Sequence, residues 1–311
     1  MRLSTFLLPL FLSLSSYSVV AQEFLPSRAE YDAVRASGRS SLILDIENDS
    51  LLLKRDDGFY TSGNHLIFKR TLAQPHQIVS YGWQIGQDLY TASNINLRPS
   101  QLSRFDHPYA GWLYVGAFRE QQLENGKASR LGLDLGCFGP CAGGEWTQTH
   151  LHRLLNQPLP QAWNTQLKQE WGAVVSADIS SARWQWQDHG DVAVRAGVRL
   201  GNIFDDAKID VLWRWGRLNT LETQNAGFAF ARSALRAVAY NATVQGAYFN
   251  CQTLAVHPKR LVPEVELGYQ WRDATWAWSA SVIRRGSEIA ELSQAKAAQN
   301  FAKIQLQVSL D

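Results

Sequence analysis

From Ser41 to Leu310 apolar side chains recur at every second position in segment after segment, and no stretch in that span is apolar for long enough to cross a bilayer as a helix. A period of two is the repeat of a β-strand whose two faces meet different surroundings. The clearest run sets Val192, Val194, Ala196, Val198 and Leu200 against Ala193, Arg195, Gly197, Arg199 and Gly201. Ile209, Val211, Trp213 and Trp215 alternate with Asp210, Leu212, Arg214 and Gly216, and Ala302, Ile304, Leu306, Val308 and Leu310 with Lys303, Gln305, Gln307 and Ser309. Runs of this kind lie near 41–49, 59–70, 77–88, 110–121, 128–139, 167–182, 191–203, 207–217, 232–245, 261–273, 275–288 and 300–310. Twelve is even, as a bacterial single-chain barrel requires. The count carries a margin of two, because Gly246 to Cys251 also reads as a further strand or as an extension of the ninth. A soluble sandwich alternates too, but its polar face meets bulk water and tends to be densely charged. Several polar faces here are small or hydrogen-bonding, which suits the inside of a narrow barrel. The fold class expected is all-β, a transmembrane antiparallel barrel of about 12 strands.

Met1 and Arg2, the apolar stretch Phe6 to Leu14 and the small-residue end Val19-Val20-Ala21 read as a secretory leader cut after Ala21. Its apolar core is shorter than the ~20 residues of a spanning helix. Residues 22–40 are polar and weakly helical, an extension or plug ahead of a single barrel domain over 41–311. Twelve Trp and ten Tyr at 19% charged residues match a barrel girdled by interfacial aromatics, although a large soluble β-protein shares that composition. A net charge of +2 without any Lys/Arg block speaks against nucleic acid as a partner. Of three cysteines, Cys137 and Cys141 lie close enough to bridge across a turn in an oxidising compartment, and Cys251 is left over.

One segment, Gly143 to Asn156, breaks the strand pattern with helical spacing. Leu151, Leu154 and Leu155 make one face, while Glu145, Gln148 and His152 make a polar stripe, and Pro158 and Pro160 stop it. Closing a barrel needs no such helix, so it is a cap or a functional element. A neutral imidazole at His152 can act as general base to water, with Gln148 one turn earlier to orient it; a solvated loop histidine is the plainer reading. His150 and His152 point to different sides, so they are not a paired metal site. A second cluster joins Glu47-Asn48-Asp49 to Asp56-Asp57-Gly58-Phe59-Tyr60-Thr61-Ser62-Gly63 on the next strand. Its oxygen donors suit Ca²⁺, or equally line a barrel interior or a solvated turn. No Gly-x-Ser-x-Gly elbow, His-Glu-x-x-His or phosphate-binding loop occurs.

Five motifs in order carry a resemblance: Glu47-Asn48-Asp49, Tyr60-Thr61-Ser62-Gly63, Pro108-Tyr109-Ala110-Gly111-Trp112, Gly139-Pro140-Cys141-Ala142-Gly143 with Gln148 and His152, and Trp163-x-x-Gln166-Leu167-x-x-Glu170. From about Ser41 to the C-terminus the chain resembles the outer-membrane lipid A 3′-O-deacylases. The resemblance implies a twelve-stranded barrel with Ca²⁺-dependent esterase activity and a site between the wall and a loop helix, near the outer leaflet. It implies His152 as base, Gln148 beside it, Asp49 on the metal, and Asn48 and Thr61 completing the site, with Tyr60, Tyr109 and Trp112 structural. Lipid A of lipopolysaccharide is then the substrate, acted on by a monomer. No carboxylate lies between Leu155 and Trp163, so a metal ligand from the helix end has to come from elsewhere. The rival readings are a passive pore or structural barrel, and a phospholipid esterase on the same scaffold.

Overall fold

The computed structural model describes residues 25–52, 58–186 and 189–310. The leader expected over 1–21 and the acidic pair Asp56-Asp57 lie outside those residues.

The strands are β1 Arg39–Asn48, β2 Phe59–Gln74, β3 Gln77–Thr91, β4 Ala110–Leu123, β5 Ala128–Phe138, β6 Glu170–Ser180, β7 Trp184–Trp186, β8 Gly190–Gly201, β9 Phe204–Arg217, β10 Ala226–Asn241, β11 Leu261–Arg272, β12 Trp276–Arg285 and β13 Gln299–Ser309. Apart from β6 and β7, each pairs antiparallel with its sequence neighbour, β1 pairs with β13, and β6 meets β8 through Val174↔Gly201 to Ser180↔Arg195. That last seam closes the sheet into a twelve-stranded barrel. The short β7 continues the line of β6 along β8, where Trp184 faces Val192 and Trp186 faces Gly190.

Closure removes the free edge that lipid cannot satisfy, and the alternation then decides which face meets what. Leu66, Trp83, Val115, Leu133, Val175, Leu200, Ile209, Leu267 and Leu306 stand exposed on the outside, a continuous apolar surface fit for hydrocarbon. Trp184, Trp215 and Trp276 lie exposed toward one end of the wall and Trp171 toward the other. The inside is more strongly charged than small or hydrogen-bonding residues alone would make it, and its charges are paired. Arg195 meets Asp210 at 2.6 Å, Arg232 meets Glu264 at 2.6 Å and Glu266 at 2.7 Å, and Lys303 meets Asp45 at 2.8 Å and Glu47 at 2.9 Å. Ion pairs in so confined a lumen satisfy one another in place of water.

The two ends differ. β2 passes to β3 and β11 to β12 through tight turns, whereas 49–58, 92–109, 139–169, 242–260 and 286–298 form long connections at the other end. Bacterial barrels place short turns in the periplasm and long loops outside. Several expected boundaries move, the most at the ninth expected strand. The strand expected over 232–245 begins at Ala226 and ends at Asn241, whose side chain caps a turn of helix over Ala242–Gln245. Gly246 to Cys251 adds no strand. Helix α1, Arg28–Ser37, is no plug: its Glu30 reaches Arg119 and Tyr81 on the outer face of the wall.

The connection over 218–225 does enter the lumen from the periplasmic end. The Glu222 carboxylate accepts from Lys69 at 2.8 and 2.9 Å and from Arg272 at 3.3 Å, and its own N–H donates to Gln122 at 2.9 Å. Burial raises the Glu222 carboxyl, but Lys69 and Arg272 outweigh it and hold it down to about 2. A carboxyl depressed by folding stabilises its contact above the unfolded pKa of ~4.3 and loses that contribution as pH falls toward the folded value. In planar bilayers the barrel should therefore stay sealed at pH 7 and open to intermittent ion current near pH 3. Glu222→Gln should conduct already at pH 7; steady current through the unaltered protein at pH 7 would contradict this picture of the lumen.

Candidate functional site

At the long-loop end β1 hands the chain to Asn48 and Asp49. The Asn48 Oδ1 accepts from the Ser50 N–H at 2.7 Å, an Asx turn that bends the chain off the wall. Asp49, 5% exposed, accepts through Oδ2 from the Gly58 N–H at 3.0 Å and so ties both ends of its loop together. In β2 the register slips between the pairs Tyr60↔Tyr90 and Ser62↔Leu89, so Thr61 is the extra residue of a β-bulge. Asn48 pairs with Ser62, which sets it beside that bulge. Thr61 is buried, and its hydroxyl lies 2.7 Å from that of Thr91. Phe59, two residues earlier, holds φ at +66°, a left-handed conformation that an aromatic residue rarely adopts. Such strain gathers at functional sites.

The loop helix is α2, Gly144–Leu154. The Cys137–Cys141 disulfide and the Pro140–Ala142 turn deliver it from the end of β5. The Gln87 side chain on β3 donates to the Ala142 carbonyl at 2.7 Å and to the Thr147 hydroxyl at 3.1 Å, which fastens its first turn to the wall. A Cβ at Gly144 would fall 2.5 Å from the Trp163 ring, so only glycine permits that approach.

The helix sits with its polar stripe inward. Gly144, Gln148 and His152 are its buried positions, while Trp146, Leu154 and Leu155 are exposed and Glu145 turns outward. Beside a membrane the leucine face meets lipid and the polar face meets protein, the reverse of a helix on a soluble protein. Gln148 accepts through Oε1 from the Trp163 indole N–H at 2.7 Å. His152 lies 2.6 Å through Nδ1 from the Pro158 carbonyl. A carbonyl only accepts, so Nδ1 carries the proton and Nε2 is the basic nitrogen of the neutral ring. His150 is exposed and packs at a tilt against Trp146, as the different side of the helix requires.

The two halves meet through a buried cluster of Leu89, Ala92, Tyr109, Ala162 and Trp163. Thr91, the partner of Thr61, directly precedes Ala92, and Trp163 carries Gln148. Tyr60 and Trp112 belong to the barrel core, and the Tyr60 hydroxyl donates to Glu47 at 2.8 Å. Glu47 is therefore spent inside the lumen on Tyr60 and Lys303, and the sequence cluster of Glu47 with Asp49 does not form a single ligand set. Asp49, Asn48 and Thr61 each carry a side-chain oxygen, the donor type that Ca²⁺ takes. Among the described residues no three His, Cys, Asp or Glu side chains gather as a metal cluster. Sequence reasoning passed over His107, wholly enclosed beside the Pro108 motif. It stacks on Tyr90 at 5.6 Å, burial pushes its pKa down, and its Nδ1 lies 2.7 Å from the Pro108 carbonyl. Adjacency to that motif was the one available signal.

Fold and site together define an outer-membrane β-barrel that carries a built cluster of polar side chains at its outer rim. The chain belongs to the family of LpxR outer membrane proteins, whose profile matches residues 6–310. Among solved structures it is similar to LpxR from Salmonella typhimurium, at 21% identity and a TM-score of 0.70, over 86% of this chain and 99% of that one. The β domain of the Bordetella autotransporter BrkA is similar at 11% identity and a TM-score of 0.52, over 87% of this chain and 98% of that one. No curated protein sequence matches the chain.

The bond from Trp163 to Gln148 makes the helix and its loop one unit. Gln148→Leu should destabilise the folded barrel by about 1–3 kcal/mol by stranding a buried donor. Combined with Trp163→Phe it should cost less than the two single changes added together, in denaturant titrations of vesicle-embedded protein. Strict additivity would mean that the bond does not couple them.

Proposed function

We propose that this protein hydrolyses the ester holding the 3′-linked acyloxyacyl group of lipid A, with His152 as general base. One observation carries the reading: α2 turns His152 and Gln148 inward while Trp146, Leu154 and Leu155 face lipid. A water-activating imidazole is thereby set at the boundary between protein and membrane, where an acylated substrate arrives.

His152 is held by the Pro158 carbonyl with Nε2 basic, and takes a proton from water as the water oxygen attacks the ester carbonyl. The tetrahedral oxyanion then collapses, and the proton passes from the imidazolium to the departing sugar oxygen. Asn48 spends Oδ1 on the Ser50 N–H, which turns its amide NH₂ the other way as a donor for the oxyanion. Thr61, in the bulge beside it, offers its hydroxyl as a second donor for that task. Gln148 stays locked to Trp163 and fixes the helix rotation that aims His152. Asp49 would help hold Ca²⁺, which when bound would supply further positive charge to stabilise the oxyanion. No covalent acyl-enzyme is required. A passive pore is a poorer reading, because the lumen is crossed by ion pairs and entered by the 218–225 loop.

Mass spectrometry of lipid A from Gram-negative cells expressing the protein tests this. The unaltered chain should remove the mass of the 3′ acyloxyacyl group. His152→Ala should slow that loss by about 10²–10⁴-fold, and His150→Ala should retain most of it. Asp49→Ala or a calcium chelator acting on the purified protein should abolish release. An active His152 variant, unchanged lipid A, or fatty acid released from phospholipid alone would overturn the assignment.

A further inference from the structure

Far from the site, at the periplasmic end of the outer wall, α1 lies across β2, β3 and β4 on the lipid-facing side. Glu30 accepts from Arg119 at 2.7 and 2.8 Å and from the Tyr81 hydroxyl at 2.6 Å. Tyr31 packs edge-on against Tyr81, and Val34 is buried against the wall. The Gly38 carbonyl, at the helix end, accepts from Arg70 at 2.6 Å. Between helix and wall runs a cavity of about 550 Å³, lined by Tyr31, Val34 and Arg35 on one side and by Phe68, Trp83 and Leu133 on the other.

The strand register shows how the cavity is made. Phe68, Trp83, Ala117, Leu133 and Val175 form one row across five strands, each paired with the next. Ala117 is small between Trp83 and Leu133, so the row has a floor between two walls. Trp83, Leu133 and Val175 are 55%, 43% and 46% exposed, so the slot opens to the hydrocarbon. Two residues nearer the periplasm the same strands carry Arg70, Tyr81 and Arg119 as a polar row. Glu30 satisfies Tyr81 and Arg119. Arg70 has only the neutral Gly38 carbonyl, its Nε is buried without a partner, and no carboxylate among the described residues pairs with it or with the exposed Arg35.

An apolar slot of acyl-chain character that ends at two uncompensated guanidinium groups matches one ligand chemistry, a phosphate ester carrying fatty acyl chains. At the periplasmic end of the wall that ligand is a membrane glycerophospholipid. We propose that the groove between α1 and the barrel wall binds one glycerophospholipid of the periplasmic leaflet, its acyl chain over Ala117 and its phosphate on Arg35 and Arg70. The groove lies in the leaflet opposite the catalytic loops, and its occupancy does not depend on hydrolysis.

Native mass spectrometry of the full mature chain, delipidated in detergent and titrated with dipalmitoyl phosphatidylglycerol, tests this. The unaltered protein should retain one lipid per chain at a collision energy that strips the rest. Arg35→Gln with Arg70→Gln should weaken retention by at least about tenfold, the worth of a lost charge-assisted hydrogen bond. Ala117→Phe, which fills the slot and leaves both arginines, should weaken it as much. Both variants should keep the heat-dependent electrophoretic shift of a folded barrel and the wild-type activity on lipid A. Equal retention by all three proteins, or retention of lipid A in preference to phosphatidylglycerol, would overturn the proposal.

Discussion

Every main-chain N–H and C=O at membrane depth needs a partner within the protein, and a sheet meets that demand only when its last edge finds its first. Here the seam is the pairing of β6 with β8, Val174 to Ser180 against Gly201 to Arg195. Once it closes, the two faces of every strand are sorted by necessity. Leu200 and Val198 go to lipid, while Arg195 and Arg199 go inward to Asp210 and Asp206. The same sorting gives the lumen its paired charges, because an inward arginine has no bulk water to hydrate it.

The site inherits that inversion. A loop helix beside hydrocarbon can expose Leu154 and Leu155 at little cost, so its polar stripe becomes the buried one. The stripe is usable because Gln148 and His152 are both held in place. Trp163 holds Gln148, the Pro158 carbonyl sets the protonated nitrogen of His152, and Gln87 pins the first turn to β3. On the facing strands an irregularity does the positioning: a bulge at Thr61 and a left-handed Phe59 break the regular alternation, so that the Thr61 hydroxyl meets Thr91 and the Phe59 ring meets His107.

Much of this was legible in period two and in a single break from it. Twelve strands, the loop helix, and Gln148 and His152 on its stripe can be read from spacing, while Glu145, placed on the same stripe, turns outward. The start of β10 could not, because there the aromatic residues Phe228 and Phe230 point inward and the outward positions are Ala229 and Ala231, the reverse of the usual pattern. Strand β6 starts three residues later than the spacing suggests because Leu167 is apolar for another reason: its side chain is buried in the core, and its N–H goes to the Tyr109 carbonyl. Spacing placed Glu47 with Asp49, but only the closed barrel shows that Lys303, 256 residues away, claims Glu47. Which face of α2 is buried also escaped the sequence, since amphipathicity marks two faces and does not say which one meets lipid.

For His152 to serve as the base it has to be a neutral imidazole with its proton on Nδ1 and its basic nitrogen at Nε2. Nitrogen-15 NMR of histidine-labelled protein in detergent at pH 8, with His152→Ala to assign the resonance, reads that state directly. A protonated Nδ1 and an unprotonated Nε2 at His152 are the expected result. A proton on Nε2 with Nδ1 bare would mean that the Pro158 carbonyl does not set the ring, and would contradict the account of His152 as the base.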